Sequence, residues 1–400
     1  MDLRTDYPYS LLRKGIIKSY PSLKQDLRCD IAVIGAGITG SLIAYHLVKA
    51  GANVAIFDRR HVGMGSTAAS TGLLQYEIDT PLRELIKMNG YEKAVRSYLL
   101  CRQSLFDLEE ICLGLKTETT FSRRTSFQYA SYKKHVRGLK EECQIRNAIG
   151  IPVEWMDESD IRQNFGFEKP AGLFSTEAAE IDAYTFTHIL LDHCSGSGMP
   201  VYDHTGIVGM NQVKYAVELQ TDTGKKITAK KIVVACGYES QKWLKKKVES
   251  FSTTYAIISE PQNPATSWYK NALIWETSFP YMYIRFASDK RILVGGKDDD
   301  FSNPDKRDQL LPSKSKALEN SFQTLFPAIP FRTDFKWAGV FASTKDGLPF
   351  IGNTQQYPHI YFALGYGGNG ITFSLLAAQI IRDLIYHKRN DDARIFSFDR

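Results

Sequence analysis

The sequence predicts an α/β fold: a Rossmann-like unit carrying a β-meander, interrupted by an α+β region built on an antiparallel sheet. Three observations predict it. An apolar run ends in spaced glycines and opens a helix that leads to a second apolar run. Period-two stretches separated by short polar turns fill the central chain. A second glycine-rich strand-to-helix turn, Gly365 to Gly370, stands near the C-terminus.

In order, Asp30-Ile31-Ala32-Val33-Ile34 is short, rich in β-branched residues and ends at Gly35, as a buried parallel strand does. Ile38, Leu42, Ile43, Leu47 and Val48 recur at helical spacing, and Gly51 stands where a left-handed cap is expected. Val54 to Phe57 then closes a βαβ unit. Tyr91 to Leu115 reads as a long amphipathic helix with Val95, Leu99, Leu105, Phe106 and Ile111 toward the core, and it is expected to leave the first unit. Between Ile207 and Cys236, Tyr215 to Leu219, the turn Thr221-Asp222-Thr223-Gly224 and Lys231 to Ala235 form a meander returning to the main sheet. Ala272 to Glu276, Tyr281 to Phe286 and Arg291 to Gly295 read as strands of a second sheet. Polar Lys297 to Pro312 is expected to be a surface loop before a helix from Ser313 to Phe326. His359 to Leu364 supplies a last strand and Ile371 to Ile385 an apolar helix.

The 400 residues are 43% hydrophobic and 24% charged, which describes a globular chain with a sizeable core. The formal charge of +6 is modest, and the densest basic run, Lys242 with Lys245, Lys246 and Lys247, reads as the solvated face of a helix-like stretch. No nucleic-acid partner is expected. Six cysteines without a C-x-x-C pair fit a reducing compartment and carry no metal-ligand spacing. No stretch approaches the roughly 18 apolar residues of a membrane span, so the expected location is cytoplasmic.

Gly35-Ala36-Gly37-Ile38-Thr39-Gly40 is a G-x-G-x-x-G between strand and helix. Its glycines permit a tight turn, a backbone approach by pyrophosphate and close helix packing, while the helix N-terminus favours the phosphate charge. Asp58 ends the second strand, where a carboxylate accepts hydrogen bonds from an adenosine ribose. Arg59 and Arg60 beside it could instead hold a 2′-phosphate, but in a flavoprotein they belong near the adenine. Val62 to Leu74, rich in small and hydroxyl residues, lets backbone approach a flat ring and a second phosphate, with Ser66 or Thr67 as pyrophosphate donors. The turn Gly365-Tyr366-Gly367-Gly368-Asn369-Gly370 gives a second helix N-terminus, suited to negative charge on the pyrimidine edge of a flavin.

These motifs, in this order, resemble the D-amino-acid oxidase family of FAD-dependent oxidoreductases, which includes glycine oxidase, sarcosine oxidase and the γ-glutamylputrescine oxidases. The resemblance runs from about Cys29 to the C-terminus and is weak from about Lys87 to Phe174. It implies a two-dinucleotide-type FAD domain formed by 28–90, 175–245 and 335–400, a substrate domain formed by 91–174 and 246–334, and an N-terminal extension, 1–27. Carried over by position, it gives Gly35, Gly37, Ile38, Thr39, Gly40, Asp58 and Arg59 to the adenosine and pyrophosphate, and Gly65, Ser66 and Thr67 to the second flavin loop. Val208 falls near the adenine, Ala235 and Gly237 at a strand end, and Gly367, Gly368, Asn369, Gly370 and Ile371 over the pyrimidine edge.

The resemblance also implies a small amine or amino-acid substrate, oxidised at a C–N bond by hydride transfer to flavin N5 and imine hydrolysis, with dioxygen or another acceptor taking the electrons. Tyr283, Tyr366 and Arg285 are the candidate site residues, with Gln75 and Tyr76 nearby. The family's carboxylate-binding arginines fall at Phe341 and Gly368 here, which favours an amine unless Arg285 holds a carboxylate. Positions of covalent flavin attachment fall near Gly339 and Ala69, so FAD is expected to be non-covalent, and His61 reads as a surface or packing residue. Arg291 and Lys297 lie near the place of a lysine that promotes dioxygen reduction. The alternatives are a 2-hydroxy-acid oxidoreductase, a flavoenzyme acting on modified tRNA, and a nicotinamide-only dehydrogenase.

Overall fold

Two sheets divide the chain, and the computed structural model describes residues 2–5, 7–116 and 120–400 of it. In chain order the elements begin β1 (Arg4–Thr5), α1 (Tyr9–Lys14), β2 (Leu27–Ile34), α2 (Ile38–Lys49), β3 (Val54–Phe57), α3 (Ser66–Ala69) and β4 (Leu73–Gln75). Then come α4 (Leu82–Asn89), α5 (Tyr91–Gly114), β5 (Phe121–Tyr129), α6 (Val136–Ala148), β6 (Glu154–Asp157), α7 (Glu158–Phe165) and β7 (Ala171–Ile181). The middle holds α8 (Ala183–Gly196), β8 (Val201–Tyr202), β9 (Ile207–Gln212), β10 (Val217–Thr221), β11 (Lys226–Val234), β12 (Ser250–Ser259) and β13 (Leu273–Glu276). The chain closes with β14 (Tyr283–Phe286), β15 (Ile292–Asp299), α9 (Pro304–Leu325), β16 (Thr333–Ser343), β17 (Phe350–Thr354), β18 (Tyr357–Leu364) and α10 (Gly370–Ile385).

The nucleotide sheet runs β17-β18-β11-β2-β3-β8, parallel except at β17, with β9 and β10 forming the antiparallel meander on β11. Its central strands are buried on both faces, which is why Val33, Ala55, Ile232 and Val233 carry no polar alternation. Gly51 takes φ +84°, the left-handed value expected of it.

The other sheet runs β1-β16-β12-β15-β14-β13-β5-β7-β4 with β6 on β7, antiparallel except for β13 on β5. It draws strands from segments that the motifs assign to the FAD domain: β4, most of β7 and most of β16. The N-terminal extension joins it too, Arg4 standing opposite Gly339.

Helix α5 does not leave the nucleotide unit. Its Cys101, Leu105 and Leu108 share a core with Ile43 and Leu47 of α2 and Leu375 and Ile380 of α10. Phe106, expected to be buried, is exposed and lies beneath the Arg123 guanidinium, 4.4 Å from its ring centre. Helix α9 starts nine residues before the sequence pattern suggests. Asn303 caps it by accepting from the Lys306 N–H at 2.9 Å, and Pro304 stands in its first turn, where no amide is needed. The helix continues through Pro312. Lys242 lies in a short 3₁₀ turn, Gly237–Trp243, and Lys245 to Lys247 follow it, exposed, rather than sitting on a helix. No helix among the described residues is long and apolar enough to cross a membrane, and they hold no metal-like cluster.

A buried ionic knot supports the floor of the cavity described next. Arg146 of α6 pairs with Glu142 at 2.9 Å and Glu77 at 3.4 Å, and Glu142 accepts the backbone N–H groups of Leu82 and Arg83 at 2.9 and 3.1 Å. Those amides open α4, whose preceding residue, Pro81, offers no side-chain cap.

Candidate active site

A cavity follows the carboxyl end of the nucleotide sheet and passes under the larger sheet. Gly35, at φ +100°, turns so tightly that a Cβ would lie 2.5 Å from the Ala235 carbonyl oxygen. A Cβ on Gly37 would meet Thr67 Oγ1 at 2.8 Å, and one on Gly40 would fall 1.8 Å from the Gly35 oxygen. Gly35 and Gly37 therefore present backbone to the cavity, which Ile38 and Thr39 also line, while Gly40 lets α2 seat against β2.

At this end Asp58 accepts from the N–H groups of Ala36 at 2.8 Å and Arg60 at 2.9 Å. Burial pushes its carboxyl up to about 6, against the pull of those two amides. Glu239 bridges Arg59 at 2.6 Å and Arg60 at 3.4 Å, and Lys242 joins them on the wall. Ala235 and Gly237 also line it. The side chain of Val208 does not: it is 60% exposed, because alternation along β9 turns Ile207 inward in its place.

The second loop is tied to the first. Thr67 Oγ1 accepts the Ile38 N–H at 3.0 Å, so its role toward a phosphate is limited to donating its own proton. Ser66 Oγ is buried and without a hydrogen-bond partner among the described residues, and Gly65 beside it lines the cavity. Trp337 Nε1 donates to the Ala69 carbonyl at 3.0 Å. A Cβ on Gly339 would touch the Ala69 methyl at 3.9 Å, so the two expected attachment positions face each other without a nucleophile. His61 lies outside the cavity, bonded to Asp203 at 3.0 Å.

At the far end, Gly367, Gly368, Asn369, Gly370 and Ile371 open α10 onto the cavity. Asn369 fixes this turn: its amide nitrogen donates to the Glu77 carbonyl at 2.8 Å and its oxygen accepts the Asp79 N–H at 3.2 Å. Asp79 accepts the Gly368 N–H at 2.6 Å and the Tyr281 hydroxyl at 2.9 Å. It is reached through the cavity yet surrounded by protein, which raises its carboxyl above the usual range. Sequence reasoning missed Asp79 and Tyr281, although Tyr76-Glu77-Ile78-Asp79 places acids just beyond the second loop.

Tyr283 lines the wall with Trp275 and Phe341, and its ring fits because Gly295 stands opposite on β15, where a Cβ would lie 2.2 Å away. Tyr366 lines the opposite side, stacked on Phe373. Burial raises both tyrosines far above their ordinary range, so each hydroxyl stays neutral. Gln75 lines the cavity; Tyr76 is buried beside Arg146 instead. Arg285 is the clearest departure from expectation. It lies outside the cavity, donating to the Thr71 carbonyl at 2.7 Å and pairing with Glu180 at 3.3 Å. Arg291 is likewise engaged by Asp289 and Asp334, and neither it nor Lys297 lines the cavity.

The residues present fit FAD. Two turns hold glycines whose places a Cβ would fill, one beside a partnerless buried Ser66 hydroxyl, and a carboxylate ends the second strand. The profile of the family described as DAO, FAD dependent oxidoreductase, matches residues 30–384. Glycine oxidase of Bacillus subtilis is 24% identical, over 93% of this chain and 97% of its own. γ-Glutamylputrescine oxidoreductase of Escherichia coli is 24% identical, over 95% of this chain and 88% of its own. In fold, the glycine oxidase structure from Geobacillus kaustophilus superposes with a TM-score of 0.79 at 19% identity, covering 94% of this chain and 99% of its own. The chain belongs to the DAO family of FAD-dependent oxidoreductases, and FAD is its cofactor.

Proposed function

We propose that this enzyme oxidises a C–N bond of a small amine, in preference to an amino acid, with FAD held non-covalently. The observation that carries this reading is the distribution of cations along the cavity. Among the described residues that line it, Arg59, Arg60 and Lys242 are the cations, and all three gather around Asp58 and Glu239 at the adenosine end. At the tyrosine end Phe341 is apolar, and Arg285 is committed to Glu180 and a backbone carbonyl. A substrate carboxylate buried there would lack the bidentate partner that offsets its desolvation. The same lack disfavours a 2-hydroxy acid.

Bound FAD supplies the hydride acceptor, at N5. The protein's part is to place the substrate C–H against it and to keep the reacting nitrogen uncharged, so that its lone pair forms the C=N bond as hydride leaves. Tyr283 and Trp275 supply an apolar wall that favours the neutral amine over the ammonium ion. Water then adds to the imine, and the C–N bond breaks to give the carbonyl product and ammonia or an amine. The test is product analysis under anaerobic single turnover: an amine should yield one equivalent of carbonyl and one of ammonia or shortened amine per flavin. Oxidation of 2-hydroxy acids without nitrogen release would overturn it.

A further inference from the structure

The amine reading accounts for the missing cation but not for Asp79. This carboxylate lies in the space a side chain at position 368 would need: a Cβ on Gly368 would fall 2.7 Å from Asp79 Oδ1 and 2.9 Å from the Tyr281 hydroxyl. Glycine at 368 thus makes room for an acid that reaches in from the segment after β4. Both hydrogen bonds at the Asp79 carboxylate come from donors, the Gly368 N–H and the Tyr281 O–H, an arrangement suited to an ionised carboxylate. Glu77, the other acid lining this end, is already paired with Arg146. Asp79 has no such cation among the described residues.

The nitrogen that loses hydride from its neighbouring carbon must be neutral, and a facing carboxylate would hold it protonated. Asp79 is therefore misplaced for the reacting nitrogen and well placed for another. We propose that Asp79, with Tyr281 orienting it, is a specificity-determining residue that receives a second, non-reacting cationic nitrogen, so that the substrate class is an α,ω-diamine or a related aminoalkyl cation. The inference rests on the amine reading for the identity of that second nitrogen. Two donors and no cation leave this carboxylate unneutralised, so charge on the ligand, rather than length alone, is what the site selects. Trp275, whose ring centre lies 6.0 Å from that of Tyr281, covers the methylenes between the two nitrogens.

The test uses the FAD-loaded protein and compares diamines of three to six carbons with monoamines of equal length and with 4-aminobutanoate, by anaerobic calorimetry and by the shift of the flavin bands. Neither readout needs turnover. At least one diamine should bind about 10- to 100-fold more tightly than its matched monoamine, the range of one charge-assisted hydrogen bond. Asp79→Asn should erase that preference at unchanged FAD content, and Tyr281→Phe should weaken binding while keeping the preference. Equal binding of diamines and monoamines by the unaltered protein would overturn the proposal without any variant, as would a preference that survives Asp79→Asn. Diamines that bind through Asp79 yet never bleach the flavin would remove the amine-oxidation reading and leave the cation site standing. Bleaching by monoamines with no diamine preference would do the reverse.

Discussion

Thr67 Oγ1 accepts the backbone N–H of Ile38 at 3.0 Å, so the loop after β3 supplies the side-chain cap of the helix that the first glycine turn opens. The N-cap position, Gly37, has no side chain to do this, and the Thr67 hydroxyl occupies the space that one would fill. The glycine turn before α2 and the loop that carries Thr67 are therefore one unit.

Thr67→Val removes the acceptor and leaves the Ile38 amide unpaired at a buried site. The expected cost is about 1–3 kcal/mol, read as roughly 5- to 150-fold weaker FAD binding by fluorescence titration of apoprotein. Thr67→Ser should retain most of the affinity. Equal affinity of Val and Ser variants would show that the cap contributes nothing.

Gly40→Ala would place a methyl 1.8 Å from the Gly35 oxygen, a contact that only displacement of α2 can relieve. The variant should lose both bound flavin and thermal stability. A Gly40→Ala protein that purifies yellow with an unchanged melting temperature would contradict this geometry.

Arg146 is fully buried among Glu142, Glu77 and the rings of Tyr76 and Tyr98. Arg146→Met strands two buried carboxyls, and breaking a buried pair on one side costs about 3–5 kcal/mol. Urea unfolding of apoprotein should show that loss, whereas Arg137→Met on the exposed face of the same helix, paired with Glu141 at 3.3 Å, should change little.

The carboxyl of Asp58 is pushed up to about 6 by burial, well above its value in an unfolded chain. The folded apoprotein thus holds this proton more tightly, and Asp58's contribution to apoprotein stability declines as pH rises from about 4 to about 6. FAD binding runs the other way. With Asp58 as the proposed acceptor for the ribose hydroxyls, affinity should rise through about pH 6 by up to tenfold per unit and then level off. Equilibrium titrations from pH 5 to 8 check this, and Asp58→Asn should flatten the profile.

The nucleotide unit was legible because its signals are local: a glycine spacing, a β-branched run, an acid at a strand end. The larger sheet was not, because its edge strands come from distant segments, and nothing in Leu73–Gln75 or Arg4–Thr5 announces a partner 100 or 300 residues away. Arg285 misled for a related reason. It follows Tyr283 and Ile284 on one strand, yet its guanidinium is drawn to Glu180 on β7, an acid with no sequence link to it. The knot at Arg146 did leave a trace: Leu139, Glu142 and Arg146 share one buried helical face, and charges on such a face need partners.

The central claim, an FAD enzyme that oxidises an amine, is tested most directly by the visible spectrum of the purified protein before and after anaerobic addition of a diamine. The account predicts a yellow protein, its flavin released by denaturant without proteolysis, whose long-wavelength band bleaches on mixing with the diamine and stays unchanged with a 2-hydroxy acid. A protein that takes up no FAD, or one bleached by 2-hydroxy acids and indifferent to every amine, would contradict it.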